Sequence, residues 1–118
     1  MTVAEVRVEG DIDWPVALLS GEVDLSNVDD LTLLVEAAVS NAALGLVLDL
    51  SGVTYLDSTG LRLIFRLSRE LLDRQQQLRL VGPPDALILR VLRLGGVPDV
   101  VTMSDRLVDA LAGPAVGS

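Results

Sequence analysis

Leu46-Val47-Leu48-Asp49-Leu50-Ser51-Gly52-Val53-Thr54-Tyr55-Leu56-Asp57-Ser58-Thr59-Gly60-Leu61 decides how this chain folds. Its opening is a short, nearly continuous apolar run after Gly45, the pattern of a strand buried on both faces and therefore central in a sheet. From Ser58 onward the period changes. Leu61, Ile64, Phe65, Leu71 and Leu72 fall on one side of a helix, and Arg62, Arg66, Arg69 and Asp73 on the other. A buried strand thus runs through a short loop into an amphipathic helix that opens on a hydroxyl. Ser58 is expected to be its N-cap, a role that by itself needs no further function.

On the N-terminal side, Val3 to Val8 alternate apolar and polar residues towards their end, Gly10-Asp11-Ile12-Asp13 supplies turn chemistry, and Trp14-Pro15 leads into Val16-Ala17-Leu18-Leu19, which together predict a hairpin. Ser26 then sits three residues before Asp29 as a capping-box variant. Val28, Leu31, Leu34, Val35, Ala38 and Val39 follow at helical spacing. On the C-terminal side, Leu78-Arg79-Leu80-Val81 reads as a strand, Gly82-Pro83-Pro84 as a break, and residues 85–94 as a helix stopped by Gly95-Gly96. A short strand around Val100-Val101 and a helix capped by Ser104 complete the order β-β-α-β-α-β-α-β-α. The predicted class is α/β: a single domain over residues 1–112, with a mostly parallel central sheet, an N-terminal edge hairpin and about four helices. Residues 113–118, Gly-Pro-Ala-Val-Gly-Ser, lack periodicity and are expected to form a flexible tail.

Composition narrows the function. The 118 residues suffice for one core, and the hydrophobic half of the chain is overwhelmingly Val, Leu and Ala, with Trp14, Tyr55 and Phe65 its only aromatics. No apolar stretch reaches the roughly 18–20 residues of a membrane span, so direct membrane insertion is not expected. The start Met1-Thr2-Val3-Ala4-Glu5 lacks the pattern of a signal peptide, and there is no cysteine; a cytoplasmic location is the expectation. A net charge of −8 argues against nucleic acid as a partner.

The chain also has no histidine, and all nine basic residues are arginine. Ser-His and Cys-His nucleophiles, Schiff bases, a Walker lysine and Cys/His zinc sites are therefore excluded, and neither a metal nor a cofactor is expected. Around Ser58 a nucleophile elbow fails because Leu56 occupies the position two before it. An aspartyl-phosphate phosphatase fails too, with Ser51 where a second carboxylate would stand. No catalytic residue is assigned, and the protein is read as not an enzyme.

Taken together, Gly21-Glu22-Val23-Asp24, Leu48-Asp49-Leu50-Ser51-Gly52-Val53 leading into Leu56-Asp57-Ser58-Thr59-Gly60-Leu61, Leu80-Val81-Gly82, and Leu92-Arg93-Leu94-Gly95-Gly96-Val97 resemble the STAS family from Val3 to about Leu111. In particular they resemble its bacterial anti-sigma factor antagonists. The resemblance implies that Ser58 accepts a phosphate, with Asp57, Thr59, Gly60 and Asp24 around it. It also implies a partner-switching cycle: the unphosphorylated protein binds an anti-sigma serine kinase of the GHKL type and frees sigma, phosphorylation of Ser58 ends the binding, and a phosphoserine phosphatase resets it.

A helical wheel adds a surface to that expectation. Leu63 falls beside Glu70 and Arg74, away from Leu61, Ile64 and Phe65, so Leu63 is expected to be exposed and, with Arg62 and Arg66, to meet the partner. The bland reading of the arginines is a solvated face with an Arg66–Glu70 pair. Two other functions fit the same segments: a non-switching STAS subunit of a membrane transport complex, in which Ser58 is only a cap, and a nucleotide-binding sensor, for which only Arg62 lies close enough to serve a phosphate.

Overall fold

The computed structural model describes residues 3–112. The expected tail at 113–118 lies outside the described residues. Five strands, β1 (Ala4–Gly10), β2 (Pro15–Val23), β3 (Gly45–Leu56), β4 (Gln77–Val81) and β5 (Thr102–Ser104), form one sheet in sequential order. β1 is antiparallel to β2, and every other neighbouring pair is parallel. Each parallel connection carries a helix: α1 (Val28–Ala37), α2 (Ser58–Asp73) and α3 (Ala86–Leu94), the last followed by a 3₁₀ turn at Val97–Asp99, which the sequence reading did not contain. The short α4 (Leu107–Ala112) ends the described chain.

The two-residue period of β3 explains the layering. Leu46, Leu48 and Leu50 point into the large aliphatic core shared with α1, α2 and α3, while Val47 points into a smaller cluster with Val16, Val81 and Ala110 of α4. Both faces are covered, so the strand reads as continuously apolar. The smaller face also buries a cation. Arg79 lies with its guanidinium 3.9 Å from the Trp14 ring centroid, and its Nη1 donates to the Ala110 carbonyl at 3.0 Å. Burial lowers its pKa. Arg79 thereby fastens α4 to the sheet.

Four details depart from the sequence reading. β3 continues through Ser51 and Gly52 to Leu56 instead of ending near Leu50, because its second half keeps pairing with β2 after β4 has ended: Asp49 pairs with Val81, whereas Leu56 still pairs with Val23. α1 starts at Val28 after Asn27, and Ser26 does not cap it, since its backbone N–H and hydroxyl are both bound to Asp24. Within α1, Leu34 is exposed and Thr32 takes the buried position, its hydroxyl donating to the Val28 carbonyl at 2.7 Å. Ser104 closes β5 and is not the cap of α4, because the strand expected at Val100-Val101 lies two residues later.

Candidate functional site

Parallel strands place their C-terminal ends side by side, and the pairing of Val23 with Leu56 brings the loop after β2 next to the loop after β3. The two loops are built alike. Asp24 Oδ1 accepts from the backbone N–H of Ser26 at 2.9 Å and from its hydroxyl. Asp57 Oδ1 accepts from the backbone N–H of Thr59 at 2.9 Å, from its hydroxyl, and from the N–H of Gly60 at 3.4 Å. Each Asp-x-Ser/Thr turn holds its first and third residues and leaves the middle one facing out. The middle residues are Leu25, 75 % exposed, and Ser58, also exposed.

Asp57, with extended φ and ψ of −108° and −166°, is therefore the N-cap of α2, and Ser58 is its first helical residue. The expectation that Ser58 caps the helix is corrected. One position earlier in the chain, the carboxylate reaches the two backbone N–H groups that a cap must satisfy, and the serine hydroxyl is left over. Gly60 contributes by size, since a Cβ there would lie 2.6 Å from the Leu56 side chain, so the first turn of α2 sits directly on the end of β3. Two substitutions separate these roles. Asp57→Ala is expected to lower stability by about 0.5–2 kcal/mol, while Ser58→Ala stays within about 0.5 kcal/mol of the parent in thermal or denaturant unfolding.

The surroundings of Ser58 are acidic. Glu22, Asp24, Leu25, Ser26, Tyr55 and Asp57 line one shallow depression of about 440 Å³ beside it. Leu25 and Tyr55 were not singled out from the sequence. The repeated Asp-x-Ser/Thr pattern after two strands was the signal for Leu25, whereas nothing short of the true length of β3 marks Tyr55 as exposed. No group of carboxylates among the described residues is arranged to hold a metal ion.

Along α2 the structure divides the three expected contact residues. Leu63 is 4 % exposed, within the buried arc Gly60, Leu63, Ile64, Leu67 and Leu71, so its expected exposure is corrected. The wheel was rotated because α1 packs along the flank that holds Leu63, covering it, while Leu61 and Phe65 are only partly buried and Leu72 is exposed. Arg66 is exposed but occupied: its Nε meets Glu70 Oε1 at 3.0 Å, and Nη2 meets Glu36 Oε1 of α1 at 3.5 Å. The hydrogen bond to Glu70, that residue's charge and then the charge of Glu36 raise the Arg66 pKa. Arg62 is exposed and forms no ion pair among the described residues.

The sequence profile of the STAS domain matches residues 4–110. The chain belongs to the STAS domain family. This STAS domain is 29 % identical over 97 residues, 82 % of its own length and 84 % of the relative's, to an anti-sigma-B factor antagonist of Listeria monocytogenes. Among solved structures it resembles an anti-sigma factor antagonist from Mycobacterium paratuberculosis, with 27 % identity, a TM-score of 0.78, and 93 % and 92 % of the two chains covered. It also shares its fold with the Bacillus cell fate determinant SpoIIAA in the phosphorylated form, at 19 % identity and a TM-score of 0.69, covering 92 % and 97 %. No helix among the described residues of this STAS domain is long and apolar enough to cross a membrane.

Proposed function

We propose that this STAS domain is an anti-sigma factor antagonist that works by partner switching, with Ser58 as the phosphate acceptor. The observation that carries the reading is the contrast between adjacent hydroxyls. Thr59 spends its hydroxyl on Asp57, whereas Ser58 is exposed at the first position of α2 and takes no part in the cap. A kinase can reach the Ser58 Oγ without breaking the turn. In the reaction Oγ attacks the γ-phosphorus of ATP, the bond to ADP breaks, and the hydroxyl proton leaves to a base of the kinase. The domain supplies substrate and surface and no catalytic group.

The phosphate acts on the interface more than on the fold. It adds about −1.5 to −2 charges at the positive end of a helix, where the fold tolerates them. Two N–H groups of that end are already held by Asp57, so the phosphate projects outward, with the unpaired Arg62 one helical turn further along. Beside Glu22, Asp24 and Asp57 it deepens an already negative surface. A partner that docks over Leu25, Ser58 and Arg62 in the unphosphorylated state then meets extra bulk and repulsion. We assign that docking to an anti-sigma serine kinase of the GHKL type in the cytoplasm, with sigma released while the antagonist is bound and a phosphoserine phosphatase restoring the hydroxyl. Leu63, being buried, is not part of the surface, and Arg66 enters it only by leaving Glu36 and Glu70.

Reaction with the cognate kinase and ATP, followed by peptide mass spectrometry, tests the reading. One phosphate on Ser58 is expected. A dominant phosphate on Thr59 or Ser51 overturns the assignment of the acceptor.

A further inference from the structure

The charges of this chain are unevenly distributed: no arginine occurs between Arg7 and Arg62, whereas α2 and α3 carry Arg62, Arg66, Arg69, Arg90 and Arg93. The imbalance is sharpest on the outward faces of the two outer helices. α1 turns Asp29, Asp30, Leu33 and Leu34 to solvent; α3 turns Leu87, Arg90, Arg93 and Leu94 to solvent. Leu33 and Leu34 are 65 % and 56 % exposed, Leu87 and Leu94 75 % and 77 %. None of these four charged residues has an ion-pair partner within 4.0 Å among the described residues. One face therefore offers two leucines with two carboxylates, and the other two leucines with two guanidinium groups.

We infer that these faces are complementary halves of one contact, through which α1 of one molecule docks on α3 of a second copy of the same chain. Opposite charge gives the pairing its direction, and the leucines give it area to bury. The sequential strand order sets the geometry. With helices crossing on one side of β2-β3-β4-β5, α1 and α3 flank α2 on opposite sides. Such a contact joins two different patches, so it leaves one free patch of each kind at the ends of every dimer and continues head to tail. Two helices of ten and nine residues make a small interface, below the area of a stable complex, so assembly belongs to high concentration and low salt. Ser58 is not among the residues of this contact, whereas Asp29 also lines the groove that Thr59, Arg62 and Arg66 share at the start of α2.

Sedimentation equilibrium of the whole chain tests the inference. The weight-average mass is expected to climb past twice 12.5 kDa, without a plateau at the dimer, between about 10 µM and about 1 mM protein in ~20 mM salt, and to return to the monomer in ~500 mM salt. Arg90→Glu with Arg93→Glu is expected to remain monomeric, as is Asp29→Arg with Asp30→Arg, each after its melting midpoint has shown that it folds. Mixing the two reversed proteins is expected to restore assembly, because each then presents what the other lacks. Should the α1 reversal fail to fold, Leu87→Ser with Leu94→Ser, at exposed positions, takes its place as a second monomeric variant. A parent that stays monomeric at about 1 mM in ~20 mM salt overturns the proposal, as does a mass that stops at the dimer or association undiminished by the reversals.

Discussion

Leu63→Asp is expected to cost this domain about 3–5 kcal/mol, a large fraction of the roughly 5–15 kcal/mol that a folded domain has. Truncating a buried leucine to alanine alone costs about 2–5 kcal/mol through lost burial and the cavity left behind. Aspartate adds a carboxylate at a position buried among Val28 of α1 and the apolar face of α2, with Arg62 and Arg66 only along the rim of the groove beside it. The measurement is a thermal melt of Leu63→Asp beside Arg62→Asp, one position earlier in the chain and exposed. The first variant is expected to be unfolded, or to melt about 10–30 °C lower, at roughly 3–6 °C per kcal/mol, and the second to stay within about 0.5 kcal/mol of the parent. If Leu63→Asp kept the parent's melting temperature and lost only partner binding, the residue would be a surface contact and the packing of α1 on α2 would be wrong.

Phosphorylation of Ser58 is expected to lower affinity for the kinase by several hundredfold, the equivalent of about 3–4 kcal/mol, and the two simplest substitutions should divide into opposite phenotypes. Ser58→Ala removes the acceptor but leaves the cap intact, because Asp57 is the cap; it should bind the kinase as the parent does and hold sigma-dependent transcription on. Ser58→Asp places one more carboxylate beside Asp57, Asp24 and Glu22 and should weaken binding, though less than phosphate does, since it carries less charge and bulk. Neither variant should change the melting temperature much. That near-equality in stability makes the test sharp, because a difference in transcription then belongs to the interface. Equal transcription and equal kinase affinity from the two would sink the switching reading and favour a STAS subunit in which Ser58 serves no exchange of partners.

Both expectations turn on features that the sequence disclosed unevenly. The α/β class, the central position of β3, the hairpin at the edge and the helix that begins at Ser58 were legible because each rests on a local period, or on turn and stop residues such as Gly82-Pro83-Pro84 and Gly95-Gly96. The orientation of α2 was not. Leu61, Leu63, Ile64, Phe65, Leu67, Leu71 and Leu72 cover more of the helix than one neighbour can bury, and the packing of α1 beside Leu63 is what puts that residue inside while Leu72 stays exposed. The cap was ambiguous for a different reason, since Asp57 and Ser58 are both good N-cap residues in adjacent positions, and the choice depends on where β3 ends. Arg79 illustrates the same limit: an arginine in the middle of a strand gives no local sign that Trp14, far away in the chain, will stack over it.

The length of β3 has a consequence for motion. From Val47 to Asp49 it is clamped between β2 and β4, but from Gly52 to Leu56 it is paired with β2 alone. Successive amides of a strand point to opposite sides, so in the second half every other N–H has no neighbouring strand to receive it. Amide protons in the clamped half can exchange with solvent only when the sheet itself comes apart, whereas those facing away from β2 in the other half are released by a local opening of much lower free energy. The Ser58 turn is thus mounted on the cheaper-to-open end of a strand whose other end is among the last parts of the molecule to yield.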